Sequence, residues 1–147
     1  MKISTRGRYA LRLMLDLALN SRGNAVSLRD IAQRQEISDK YLEQIVTRLS
    51  RAGLVRSVRG AGGGYLLTRP PEEYSVGEIL RVLEGSLVPV GCADGSSRCS
   101  RAEQCVTLEV WQQIQAAVAG VVDRLTLAEL VRRYYEKCPG GGVGVQR

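Results

Sequence analysis

Residues 38–67 read SDKYLEQIVTRLSRAGLVRSVRGAGGGYLL. The reading of this stretch decides the fold. Ser38 can cap the first free N–H groups of a helix, and Leu42, Ile45, Val46 and Leu49 then recur at helical spacing. Asp39, Lys40, Glu43, Gln44, Thr47 and Arg48 fall on the opposite, wet face. Gly53 ends the helix. Leu54 to Val58 is short and rich in β-branched residues, so it reads as a strand. Gly60-Ala61-Gly62-Gly63-Gly64 must turn, and Tyr65-Leu66-Leu67 returns as the partner strand. A helix followed by a basic hairpin carrying Arg56 and Arg59 is how a winged helix-turn-helix meets DNA, helix in the major groove and hairpin tip beside it.

The preceding residues supply the rest of that unit. Thr5 to Asn20 reads as a helix with Ala10, Leu13, Met14, Leu17 and Ala18 in one stripe, widened by Leu11 and Leu15. Arg6, Arg8 and Arg12 crowd its first half, where the helix dipole disfavours cations, and a phosphate partner would account for them. Ser27-Leu28-Arg29-Asp30 resembles a capping box opening a short helix that buries Leu28, Ile31 and Ala32. Two short helices joined by about four residues form the helix-turn-helix pattern. Pro70-Pro71 closes the hairpin region. Ser75-Val76-Gly77-Glu78 and Thr126-Leu127-Ala128-Glu129 are two further capping boxes, each opening a helix. Between them, Val106, Leu108, Val110, Trp111, Ile114, Ala117, Val118 and Val121 belong to a long helix from about Glu103 to Val122. Its apolar residues occupy more than one face, which suits a helix shared with a second subunit.

Charge is unevenly placed. The chain of 147 residues has a net charge of +6. Residues 1–70 hold 13 Lys and Arg against 5 Asp and Glu, and residues 71–147 hold 8 against 10. The positive excess therefore sits on the N-terminal half, as a polyanion partner requires. There is no histidine, which removes the usual general base and every imidazole metal ligand. GAGGGY lacks the Lys-Ser/Thr of a phosphate loop, so no enzyme is expected. No run of about 18 apolar residues suggests a membrane span, and the first residues lack the apolar core of a signal peptide. The cytoplasm is the expected location.

Cys92, Cys99 and Cys105 share one irregular span with spacing C-x6-C-x5-C. Small neighbours such as Gly91, Gly95, Ser96 and Ser97 let thiolates converge. Cytoplasmic disulfides are uncommon, so metal or redox chemistry is the expectation. Zinc sites prefer closer CxxC pairs. Reactive thiols beside Arg98 and Arg101 and an iron–sulfur cluster held by loop thiolates are the other readings. Cys138 lies in the tail.

Together, STRGRYALRLMLDLAL (4–19), the 38–67 stretch and the cysteine loop ending C-x5-C-V-T-L-E-V-W resemble the family of the winged-helix regulators IscR, NsrR and CymR over roughly residues 1–136. The resemblance implies a mainly α fold with a small β-hairpin wing. Residues 1–84 would form the DNA-binding domain, 85–105 the cysteine-bearing loop, 103–137 the dimerisation and C-terminal helices, and 138–147 a disordered tail. It implies a homodimer on a pseudo-palindromic duplex. Ser38, Lys40, Tyr41, Glu43, Gln44 and Arg48 would belong to the recognition element, with Glu43 accepting from cytosine. Arg59 would enter the minor groove, with Gly60 letting the backbone follow it; Arg8 and Tyr9 would lie near the DNA backbone, and Ser27 would be a further DNA-binding residue. Cys92, Cys99 and Cys105 would hold an iron–sulfur cluster, 2Fe–2S favoured over 4Fe–4S. The sequence departs from the pattern in the first cysteine gap, which is one residue longer, and at the fourth ligand. Leu108 stands where IscR-like proteins place a histidine, and Arg8 where NsrR-like proteins place an acid. Glu109, Cys138 and a small exogenous thiol are the remaining choices. A cluster-free regulator responding to thiol redox state or nitric oxide is the alternative, and an iron–sulfur carrier without DNA function a further one.

Overall fold

The structure is a computed structural model that describes residues 2–140. Of the tail expected to be disordered, 138–147, residues 141–147 lie outside the described residues, while Cys138 closes the last helix, its N–H donating to the Tyr134 carbonyl at 2.9 Å. Helix α1 spans Thr5–Asn20, α2 Leu28–Gln35 and α3 Asp39–Arg51, followed by strands β1 (Val55–Val58) and β2 (Gly64–Leu67). Helices α4 (Val76–Glu84), α5 (Val106–Val122) and α6 (Leu127–Lys137) complete the chain.

The N-caps expected from the sequence are present. Ser27, Ser38, Ser75 and Thr126 each accept a hydrogen bond from the N–H three residues on. All three capping boxes, however, are closed on one side only, and in two of them the acid is taken by arginine. Glu78 accepts from Arg69, and Glu129 accepts from Arg132 and Arg133. A charge-assisted bond to guanidinium is stronger than one to a backbone N–H and takes the carboxylate away. Pro71 opens a 3₁₀ turn, Pro71–Glu73, as a proline at the first helical position can. Two further expectations shift slightly. Residues Ala102–Gln104 form another such turn, so the long helix begins at Val106 with Cys105 as its cap. Leu28 is half-buried rather than buried.

The core is aliphatic. Leu13, Met14 and Leu17 of α1 meet Ile31 of α2 and Leu42, Ile45 and Leu49 of α3, and Leu54, Val55, Tyr74, Ile79 and Leu127 close it. The wing is an antiparallel pair with Val55 opposite Leu67 and Val58 opposite Gly64. An isolated bridge from Val26 to Tyr65 fixes it to the segment before α2. At the wing turn Gly60 and Gly62 hold φ of +100° and +74°, values that side chains resist.

Tyr74 is fully buried and joins the wing to the helices. Its hydroxyl donates to the Leu54 carbonyl at 2.8 Å and accepts from the Thr68 and Arg69 N–H groups at 2.9 Å each. Helix α5 is different from the other helices. None of its residues is buried, and Val106 and Val121 are 76% and 63% exposed. Its C-terminal end is attached: Val122 and Leu125 pack on Val76, Leu80 and Leu87, and Arg81 bonds Asp123 at 2.5 and 3.0 Å.

Candidate nucleic-acid interface and cysteine loop

Burial of Leu42, Ile45, Val46 and Leu49 leaves Lys40, Glu43, Gln44, Thr47 and Arg48 exposed along one side of α3. These side chains line a recess with Arg6 of α1, Arg51 and Leu83. The recess carries four cations and one carboxylate, that of Glu43, so its field is positive. Arg6 was expected to face a phosphate, but Arg51 was not among the expected site residues. Arg51 stands at i+11 from Lys40 and could have been found by extending the helical period.

Two of the expected residues are caps. The Ser27 hydroxyl accepts from the Asp30 N–H at 3.1 Å, and that of Ser38 from the Tyr41 N–H at 3.3 Å. Each keeps its own O–H free to donate. Tyr41 is half-buried and meets Tyr9 edge-on, ring centroids 5.7 Å apart. Arg8 is exposed and donates to the Thr5 hydroxyl at 3.0 Å. Arg59 and Gly60 are exposed at the wing tip.

Arg12 is exposed but is engaged within the chain. It donates to the side chain and carbonyl of Gln35 and lies 5.3 Å from the centre of the Tyr9 ring. Gln35 in turn donates to Asp16 at 2.9 Å. Asp16 is 1% exposed and receives Arg34 bidentately at 3.0 and 2.6 Å. This bond holds the Arg34 guanidinium above its usual pKa, against the cost of partial desolvation. The network ties α1 to α2.

The cysteine loop runs from α4 to α5. Cys92 is half-buried and Cys99 exposed, and both line one recess with Leu108 and Gln112. Cys105 stands at the start of α5, its sulfur 3.2 Å from the Thr107 hydroxyl. That hydroxyl, with the Leu108 N–H next, lowers the Cys105 thiol pKa. Among the described residues, no three Cys, Asp or Glu side chains gather into a metal-binding group. In kind, the three thiols fit a thiolate-held cluster. Leu108 offers no fourth donor and presents an apolar side chain to the recess of Cys92 and Cys99.

The three-helix core, the capped α3 with its polar face outward and the glycine-turned hairpin define a winged helix-turn-helix DNA-binding protein. Residues 3–133 match the Rrf2 family, described as an iron-dependent transcriptional regulator, and the chain belongs to that family. It is 42% identical over 131 residues to the HTH-type transcriptional regulators IscR of Serratia proteamaculans and Escherichia coli O1:K1. The match covers 89% of this chain and 79% and 80% of theirs. Among solved structures, T. potens IscR is 41% identical, with a TM-score of 0.77 over 93% of this chain and 90% of that one. CymR, the global cysteine regulator of B. subtilis, is 41% identical, with a TM-score of 0.76 over 90% of this chain and 98% of that one. These relatives are transcription regulators, and the chain is one of them rather than an enzyme. No helix among the described residues is long and apolar enough to cross a membrane.

Proposed function

We propose that the chain is a cytoplasmic, homodimeric repressor of iron–sulfur cluster biogenesis genes, binding a pseudo-palindromic duplex under control of its cysteine loop. The observation that carries this reading is the exposed polar face of α3, set in a recess with Arg6 and Arg51 and flanked by the Arg59 wing. Lys40, Gln44 and Arg48 meet the major groove, with Glu43 selecting a cytosine amino group there. Ser38 and Tyr41 hold the start of α3, Arg59 and Gly60 follow the minor groove, and Arg8, Tyr9 and Ser27 lie along phosphates. Residues 1–84 are the reading head and 103–137 the dimer element. The uncovered Val106, Val110, Ile114 and Val121 of α5 supply an apolar surface for a second copy. That copy places the two α3 helices about one turn of duplex (~34 Å) apart.

Cys92, Cys99 and Cys105 would hold an iron–sulfur cluster, with 2Fe–2S preferred and the fourth donor drawn from Glu109, Cys138 or a small thiol. A bound cluster supplies a redox-active, oxidant-labile group whose presence reports iron–sulfur status. The residues themselves place this control where it reaches both halves. The loop leaves α4 at Gly85 and enters α5 at Cys105. A second reading, a cluster-free thiol regulator, draws on Leu108 in place of a donor and on the lowered pKa of Cys105.

Anaerobic purification separates the two. A visible absorption band lost in Cys92→Ala supports the cluster, and a colourless protein after anaerobic reconstitution supports the thiol reading. Retention of a specific duplex at moderate salt tests both against a carrier without DNA function. Sedimentation of wild type and Ile114→Glu tests the dimer. A wild-type monomer that ignores every duplex refutes the proposal.

A further inference from the structure

The N-terminus of α1 has an unbalanced charge. Arg6 and Arg8 stand there, and the first turn contains no acidic residue, although the helix dipole favours anions at that end. The missing negative charge comes from another helix. Glu84, the last residue of α4, accepts through Oε1 from the Ser4 N–H at 3.1 Å, the Ser4 hydroxyl at 2.5 Å and the Gly7 N–H at 3.1 Å. Gly7 fits this arrangement: it is buried, and a Cβ placed on it would strike the Glu84 carboxylate. One residue earlier, the Leu83 carbonyl accepts from Arg48 of α3 at 3.3 Å. Leu83 also lines the recess shared by Arg6, Lys40, Arg48 and Arg51. The final turn of α4 is therefore bonded to both helices that present cations.

We propose that Glu84 is a positioning residue for DNA binding. It fixes the start of α1, and with it Arg6 and Arg8, at a set distance from Arg48 on α3. It need touch no DNA itself. The inference rests on the reading of α3 and its recess as the DNA face. A cation set held in register pays its ordering cost on folding, whereas a loosened set pays it at each binding event. Ser4 still caps Gly7 through its hydroxyl at 3.3 Å without Glu84, so α1 forms and packs on α4 in the variants, and only the carboxylate clamp on its first turn is lost.

The test uses the full chain as wild type, Glu84→Gln and Glu84→Ala. The probe is a duplex that the wild type selects from a randomised pool. Two quantities are read: the Kd, and amide hydrogen exchange at Gly7 and Arg8 relative to Ile45 and Leu49. Glu84→Ala is expected to bind about tenfold more weakly and to exchange about tenfold faster at Gly7, with α3 protection unchanged. Glu84→Gln keeps a carbonyl acceptor and is expected within about threefold of wild type. The inference is overturned if Glu84→Ala binds within about twofold of wild type, if α3 loses protection as much as α1, or if Glu84→Gln is as weak as Glu84→Ala. A wild type that selects no duplex refutes the DNA-face reading and the inference with it. The exchange comparison needs no DNA, so it distinguishes that failure from the others.

Discussion

Replacing Tyr74 by Phe removes one oxygen from the centre of the molecule, and the structure says which groups are stranded. The Leu54 carbonyl keeps the Thr68 N–H at 3.3 Å and the Thr68 hydroxyl at 3.2 Å. The Thr68 N–H keeps Leu54. The Arg69 N–H has the Tyr74 hydroxyl at 2.9 Å as its partner and is left without one. One stranded, partly buried donor and one lost buried hydroxyl bond together cost about 2 kcal/mol. For a chain of this size that lowers Tm by about 6 °C. Packing is otherwise kept, because the ring stays and Arg69 can still lie over it, 4.4 Å from its centre. Urea unfolding at fixed protein concentration measures the change, with m unaltered. A Tyr74→Phe midpoint that yields less than about 0.5 kcal/mol would mean that the hydroxyl is not the joint between wing and helices.

Three other perturbations probe different parts of the molecule. Asp16→Ala strands Arg34 and the Gln35 amide, while Asn20 keeps the backbone carbonyl of residue 16 at 2.9 Å; a broken buried pair costs about 3–5 kcal/mol, and partial exposure of Arg34 brings the expected loss to about 2–3 kcal/mol in urea unfolding. Wild-type stability in that variant would refute the network. Arg59→Ala should weaken binding to the selected duplex and reduce the slope of log Kd against log salt by about 0.9, as loss of one cation from the duplex does, read by fluorescence anisotropy; an unchanged slope and Kd remove Arg59 from the minor groove. The Glu129 carboxyl is held down at about 2 by Arg132 first and Arg133 second. Because the folded value lies below the unfolded one near 4.5, its support of α6 is present above that range and is lost as pH falls through about 2. A carbon-13 titration should place the midpoint near 2 and move it up when Arg132 and Arg133 are both changed to Ala; an ordinary midpoint in wild type would exclude the pairing.

The parts of the fold that were legible in the sequence are those fixed by neighbours along the chain. Ser38, the spacing of Leu42, Ile45, Val46 and Leu49, and Gly53 each act within a few residues, so α3 and its polar face could be read directly. The wing turn was legible for the same reason, since only glycine accepts its backbone angles. What could not be read depends on partners far away. Asp16 finds Arg34 across 18 residues, Tyr74 finds Leu54 across 20, and Glu84 finds Ser4 across 80. Nothing local marks an aspartate in α1 as buried or a glutamate at the end of α4 as a cap. Arg12 shows the converse: its position in a basic cluster suggested phosphate, while Gln35 and the Tyr9 ring take it up within the chain. The cysteine spacing indicated chemistry but not placement, because a loop has no period from which to deduce which sulfur meets which.

These long-range bonds also determine how α5 is carried. Its C-terminal end is fixed to the reading head by Arg81 on Asp123, by the Leu125 carbonyl accepting from the Val76 N–H at 2.8 Å, and by the Tyr74 carbonyl accepting from the Leu127 N–H at 2.9 Å. Its N-terminal end begins at Cys105, and Val106 and Val110 there stay exposed. The N-terminal end of α5 is joined to the cysteine loop. The other end of that loop, Gly85, follows directly on the turn bonded to α1 and α3. The three cysteines therefore occupy the segment whose two ends meet the apolar helix and the cation-bearing face.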